Sequence, residues 1–268
     1  MKEYKDKITL ARNGRGCYIL DTIKGCSICK KEKPLGCYDD CYAKNISSRY
    51  GFNFSIPIKR KFLEDSEQLY MFDFANIEHE NEIINQVSKI EMPFVRIGEM
   101  GDPSISWTHT FDVCKVIALA KKPIVIITKH WEIIPQDILV GMGNMGICIN
   151  TSISALDSPD EIGHRLIQYK RIKKYCNSIL RIVSCDFNES NEKGKYMAKI
   201  QKALFNNTKT IDTIFRPRKS NKLVLEKVIN ISRVKFLSTE VLASVYNKNT
   251  YFGHCKNCPD MCGIKGNK

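Results

Sequence analysis

The chain has 268 residues, 43% hydrophobic and 26% charged, enough apolar content for one core of good size and too much for a disordered chain. It holds no run of about 18 uncharged apolar residues and opens on Met1-Lys-Glu-Tyr-Lys-Asp-Lys, so a cytoplasmic globular protein with no membrane span and no signal peptide is expected. Lys and Arg outnumber Asp and Glu by 42 to 29, a net charge of +13 that suits a nucleic-acid or phosphate-rich partner, although the lysines are spread along an Ile-, Asn- and Lys-rich chain rather than gathered in one block.

Residues 16–24 read as a first strand, followed by a loop rich in Gly, Lys and Cys over residues 25–41. Residues 42–50 are a short helix candidate, 51–75 are irregular and aromatic-rich, and 78–90 have helical periodicity. Residues 93–97 form a short apolar strand that ends at Gly98-Glu99-Met100-Gly101-Asp102. An amphipathic helix (107–121) and an apolar strand (123–128) follow. The alternation then repeats: helix 132–140, strand 146–151, helix 159–175, strand 178–183, helix 192–205, strand 210–215, helix 222–231 and strand 234–237. Strands alternating with helices at this rhythm predict parallel βα units in an α/β fold, and six or seven of them suggest a barrel or partial barrel with its chemistry on the loops after the strands. Gly141-Met-Gly143-Asn-Met-Gly146 fits a dinucleotide-binding glycine pattern, but a helix precedes it and a strand follows, the reverse of what that pattern needs. It reads as a loop.

Cysteine is the informative residue. Five of the twelve lie early (Cys17, Cys26, Cys29, Cys37, Cys41) and three lie at the end (Cys255, Cys258, Cys262). The other four, Cys114, Cys148, Cys176 and Cys185, sit in apolar segments and read as buried small hydrophobes. With no export signal, dense cysteines point to metal or cluster ligands rather than disulfides. Four thiols lie between Cys26 and Cys41, directly after the first strand, and suit either an iron–sulfur cluster or a structural zinc. In the tail, His254-Cys255-x-x-Cys258-Pro259-x-x-Cys262 can offer three thiolates to one centre, with Cys17 and Cys29 as candidates for a fourth and His254 able to replace a thiol. A zinc staple would use the same residues. Glu99 and Asp102 put carboxylates on the same side as the cysteine loop, where they could hold an ammonium group or ribose hydroxyls. His109, His130 and His164 read as ordinary core or surface histidines.

Taken in order, these motifs resemble the radical S-adenosylmethionine superfamily, and within it a phage-borne branch of uncharacterised proteins distantly akin to spore photoproduct lyase. The likeness rests on Gly25-Cys26, Pro34-Leu-Gly36-Cys37-x3-Cys41-Tyr42-Ala43, Phe94-Val-Arg-Ile-Gly98-Glu99-Met-Gly-Asp102, Ile126-Ile-Thr128-Lys129, Ile149-Asn-Thr-Ser152-Ile-Ser154 and Phe236-Leu-Ser-Thr-Glu240. The resemblance implies a partial (β/α)6 TIM-like barrel over residues 1–245 and a cysteine-bearing tail over 246–268. It implies a [4Fe–4S] cluster held by Cys26, Cys37 and Cys41, with Tyr42 beside the last and Cys29 competing as first ligand. The cluster's open iron would bind S-adenosylmethionine, with Gly98 and Glu99 at the methionine ammonium and Ser152, Ser154 and Arg181 near its carboxylate or ribose. An electron from a donor such as flavodoxin or ferredoxin would cleave the cofactor to a 5′-deoxyadenosyl radical that takes hydrogen from a substrate. A nucleic acid or nucleotide is the favoured substrate and a peptide the next. The spacing Cys26-x10-Cys37-x3-Cys41 departs from the usual Cys-x3-Cys-x2-Cys, and the tail resembles the auxiliary-cluster extensions of some members, so a second cluster is expected there. The rival reading is a zinc-stabilised nucleic-acid-binding protein without catalysis, its charge serving as a phosphate footprint.

Overall fold

The computed structural model of the chain describes residues 6–26, 41–63, 75–207 and 209–266. Strands β1 (Leu10–Arg12) and β2 (Tyr18–Leu20) form an antiparallel hairpin, and β3 (Ile23–Lys24) leaves it to pair with β4 (Ile58–Lys59) in a separate two-stranded ribbon. Helix α1 (Tyr42–Arg49) lies between β3 and β4, and α2 (Ala75–Ser88) follows β4. The chain then alternates through β5 (Val95–Ile97), α3 (Trp107–Ala118), β6 (Ile124–Thr128), α4 (Gln136–Asn144), β7 (Cys148–Ile153), α5 (Pro159–Ile172), β8 (Leu180–Ser184), α6 (Glu192–Phe205) and β9 (Thr210–Ile214). These strands and the hairpin make a seven-stranded sheet of order β1-β2-β5-β6-β7-β8-β9, parallel at every pairing after the first. The architecture is α/β, a mostly parallel sheet flanked by helices.

Parallel strands covered on both faces need apolar residues in unbroken runs, which is how Ile124-Val-Ile-Ile and Ile147-Cys-Ile read. Val95, Ile97, Ile126 and Ile149 are fully buried in one core with Val113, Ile117, Leu139 and Met142 of α3 and α4. Removing a Leu or Ile side chain from such a site costs about 2–5 kcal/mol. Helix α5 starts on a reciprocal cap, Ser158 accepting from the Glu161 N–H while Glu161 accepts from the Ser158 N–H, a device worth about 1 kcal/mol.

Four sequence expectations change. The strand over 16–24 breaks at Asp21, whose buried carboxylate turns to bind the Glu99 and Met100 N–H groups. Gly141 and Gly143 belong to α4 rather than to a loop, and they are glycine because the Phe111 ring and the Tyr175 backbone press where side chains would otherwise stand. The helix over 222–231 is only α7 (Lys222–Leu225), ended by Lys227 at φ 53°. The strand over 234–237 becomes β10 (Ser232–Phe236), which pairs with β11 (Thr239–Ala243) as a hairpin apart from the main sheet. Phe236 stands opposite Thr239, so the link is a two-residue turn, far too short for a parallel crossover.

Candidate functional site

Two groups of expected residues gather at opposite edges of the parallel sheet. At the C-terminal edge, the start of the cysteine segment is laid against the turn after β5. The Gly25 N–H donates to the Met100 carbonyl at 2.9 Å, Gly25 and Gly101 form a parallel bridge, and the Cys26 N–H donates to the Phe54 carbonyl at 2.7 Å. A Cβ on Gly101 would lie 2.4 Å from the Ile23 carbonyl oxygen, so this approach requires glycine. At the far end of the segment Cys41 takes the N-cap position of α1 without its thiol capping the helix. Cys26 and Cys41 are half-buried, and Tyr42 opens α1. Cys29 and Cys37 lie outside the described residues.

The turn at 98–102 is held by two carboxylates. Asp21 accepts from the Glu99 N–H at 2.7 Å and the Met100 N–H at 3.0 Å. Burial pushes Asp21 up to about 6, against the pull of the Arg60 charge and its N–H donors. Asp102 accepts from the Ser104 N–H and hydroxyl, the Thr128 hydroxyl at 2.6 Å and the Lys129 N–H at 2.7 Å. Four donors on one carboxylate make Asp102 a brace between two βα loops. Glu99 is paired with Arg96 and accepts from the Asn13 amide at 3.1 Å and 3.3 Å. The Ser154 hydroxyl is committed to the Val183 carbonyl and the Leu156 N–H. Ser152 is half-buried on β7, in register with Arg181 of β8.

At the N-terminal edge the tail returns to the start of the sheet. Thr250 donates to Asp212 of β9 at 2.6 Å, and the Cys255 N–H donates to the Arg15 carbonyl in the β1–β2 turn at 2.7 Å. The tail therefore runs from one extreme strand of the sheet to the other. Cys17 is fully buried, its thiol donating to the Tyr18 carbonyl at 3.6 Å. The neighbouring Cys255 thiol and burial raise the Cys17 thiol, while the Cys17 thiol and the charges of Arg15, Arg96 and Arg181 hold Cys255 below the usual thiol range. Arg181 donates to the Cys262 sulfur at 3.5 Å, and the Asn150 amide donates to the Cys262 carbonyl at 2.8 Å. Cys255, Cys258 and Cys262 line one cleft together with Arg15, Arg96, Arg181 and Arg216.

The cysteine sorting holds for Cys114, Cys148, Cys176 and Cys185, which are all buried. Arg181, expected beside the C-terminal edge, bonds the tail instead. Sequence reasoning missed Asp21, Asn13 and Asn150. Asn13-Gly-Arg-Gly16 is a turn signal that could have drawn attention to Asn13; nothing local marks Asp21 or Asn150. Among the described residues no three His, Cys, Asp or Glu side chains stand as a ready-made metal-binding group, and no helix is long and apolar enough to cross a membrane. The chain matches no protein-family model, no curated protein and no solved structure.

Proposed function

We propose that the protein is a radical S-adenosylmethionine enzyme built on a partial (β/α)6 barrel. The observation that carries this reading is the pairing of Gly25 with Met100 and Gly101, which sets Cys26, the first of the four thiols, beside the Gly98-Glu99 turn at the C-terminal edge of a parallel sheet. In parallel α/β folds that edge is where loops from several strands converge on a ligand. The curl into a partial barrel is supported by the shared cleft, to which Arg15 before β2 and Ile214 at the end of β9 both contribute.

Cys26, Cys37 and Cys41 are the residues that would hold a [4Fe–4S] cluster, Cys29 being the alternative to Cys26. Thiolates are the donors such a cluster takes. The Cys26 N–H donates to the Phe54 carbonyl and Cys41 sits at the N-cap of α1, which fixes the backbone at both of these cysteines. When bound, the cluster supplies the electron that cleaves S-adenosylmethionine reductively. Glu99 would give the methionine ammonium a carboxylate that now engages Arg96 and the Asn13 amide, on a turn that Asp21 fixes through two N–H groups. Of the two serines Ser152 is the one we assign a polar contact, since the Ser154 hydroxyl is spent on the Val183 carbonyl of β8 and the Leu156 N–H. The substrate favoured by the +13 charge is a nucleic acid or nucleotide, and a small electron-transfer protein would reduce the cluster.

The test is anaerobic purification, iron and sulfide analysis, then reduction with dithionite in the presence of S-adenosylmethionine. The expected result is a brown protein with about four or eight irons per chain and matching sulfide, forming 5′-deoxyadenosine. Cys37→Ala and Cys41→Ala should each abolish that product, and comparing Cys26→Ala with Cys29→Ala identifies the first ligand. A colourless zinc protein that leaves S-adenosylmethionine intact overturns the proposal and favours the nucleic-acid-binding module.

A further inference from the structure

We propose that Cys17, Cys255, Cys258 and Cys262 form a four-thiolate metal centre at the N-terminal edge of the sheet, distinct from the thiol segment at the C-terminal edge. Cys17, not Cys29, completes the tail. This inference stands whether or not the radical chemistry does.

The backbone places Cys17 with the tail. Cys17 directly precedes β2 and is fully buried, and the Cys255 N–H donates at 2.7 Å to the carbonyl of Arg15, two residues before it. Cys29 lies outside the described residues, three residues beyond Cys26, whose N–H is fixed to the Phe54 carbonyl.

The backbone brings the other thiols to the same place. The Cys255 N–H is held by Arg15, two residues before Cys17, and the Cys258 N–H folds back on the Cys255 carbonyl at 3.1 Å. The Cys262 carbonyl is gripped by Asn150 of β7. A Cys-x2-Cys turn followed by Cys-x3-Cys lets one short loop present three sulfurs to a single centre. As the side chains stand, Cys258 and Cys262 line the cleft beside the Cys17–Cys255 pair, and binding draws them in.

The charges match a thiolate centre. Four thiolates around Zn²⁺ or a [4Fe–4S]²⁺ cluster leave a net charge of about −2. The cleft carries Arg15 and Arg181, and Arg181 points an N–H at the Cys262 sulfur. Guanidinium N–H groups directed at sulfur stabilise a ligating thiolate. Both occupants are thiophilic metals, and acid-labile sulfide distinguishes them.

The experiment is metal and sulfide analysis of full-length protein, purified anaerobically, carrying Cys26→Ser, Cys37→Ser and Cys41→Ser together. One zinc, or about four irons with matching sulfide, should remain per chain. That content should vanish when Cys17→Ser is added and persist when Cys29→Ser is added. X-ray absorption at the retained metal should show four sulfur neighbours at each metal for a cluster or zinc. Three sulfurs and one nitrogen at zinc, or a nitrogen ligand on one iron of a cluster (about a quarter of a nitrogen per iron on average), would instead make His254 the ligand and overturn the assignment, as would a triple variant without metal. A wild-type measurement covers the case in which the variants do not fold: alkylation of native protein followed by mass spectrometry. Cys258 and Cys262, both half-exposed, should resist modification until a chelator strips the metal, and then react together. Full reactivity before chelation overturns the proposal. Loss of 5′-deoxyadenosine formation plays no part in these readouts, so this centre and the radical reading fail separately.

Discussion

The two edges of the sheet are built by different means. The C-terminal edge is shaped by backbone approach and buried carboxylates: Gly25 on Gly101, Asp21 under the Glu99 turn, and Asp102 across to Thr128 and Lys129. The N-terminal edge is closed by a tail that arrives from the far end of the chain, and its fixed points are Arg15, Asn150 and the Cys17–Cys255 pair. The first edge has its form before any ligand arrives. The second is fastened by a few contacts between residues far apart in sequence, and a bound metal would add to them. An edge that must receive a cofactor in a set geometry gains from being rigid in advance; an edge that only has to close can take its rigidity from what binds there.

The largest expected effect breaks the preformed edge. Gly98 sits at φ 100°, and a Cβ there would lie 2.3 Å from the Ile127 carbonyl oxygen. Gly98→Ala must shift the turn away from β6, at a cost of about 3 kcal/mol. Urea unfolding should show that loss, while the metal content of the proposed tail centre, zinc or iron, should stay unchanged. A variant as stable as wild type would mean the turn is not rigid and the contrast between the edges is false.

The next effect falls on the tail. Asn150 is fully buried, its amide donating to the Cys262 carbonyl at 2.8 Å while its carbonyl accepts from the Ile179 N–H at 2.9 Å. Asn150→Ala strands both partners and should cost about 2 kcal/mol. The loss should be accompanied by faster proteolysis within residues 246–268. Cleavage there should slow again when metal is supplied in excess, since ligation holds the tail independently of Asn150. If the tail is cut no faster, Asn150 is not its anchor.

How much of this could be read from the sequence follows the same division. Helix and strand periodicity gave β6 to β9 and the helices between them, because parallel strands carry their burial in contiguous residues such as Ile124-Val-Ile-Ile. Spacing singled out the thiols for the same reason: ligands of one loop lie close in sequence. What stayed hidden were contacts with no local signature. Asp21 looks like any residue at a strand end, yet it organises a turn 78 residues away. The place of Asp102 after a strand suggests a ligand residue, and nothing along the sequence shows that its carboxylate also ties two βα loops together through Ser104, Thr128 and Lys129. The joining of Cys17 to the tail depends on β1 and β9 being the two extremes of the sheet, which no pattern along the chain encodes.

The smallest effect is a pH response that wild-type protein partly hides. Asp21 is raised to about 6, chiefly by burial, so its contribution to stability is full below the unfolded carboxylate range and is lost as the pH climbs through that value. His130 runs the other way. Burial first, then the charges of Arg165 and His164, push it down to about 3, so its neutral form supports the fold above the ordinary histidine range and that support is lost on acidification. Between about pH 7 and pH 5.5 the histidine withdraws roughly 1 kcal/mol while the aspartate returns somewhat less. The two nearly cancel. Asp21→Asn should therefore expose a steeper loss of stability in acid than wild type shows, and His130→Gln should make the protein gain stability over the same interval. Denaturation midpoints of the three proteins at both pH values read this directly. Parallel shifts in all three would mean that neither buried group titrates, and that the preformed edge owes its shape to the backbone alone.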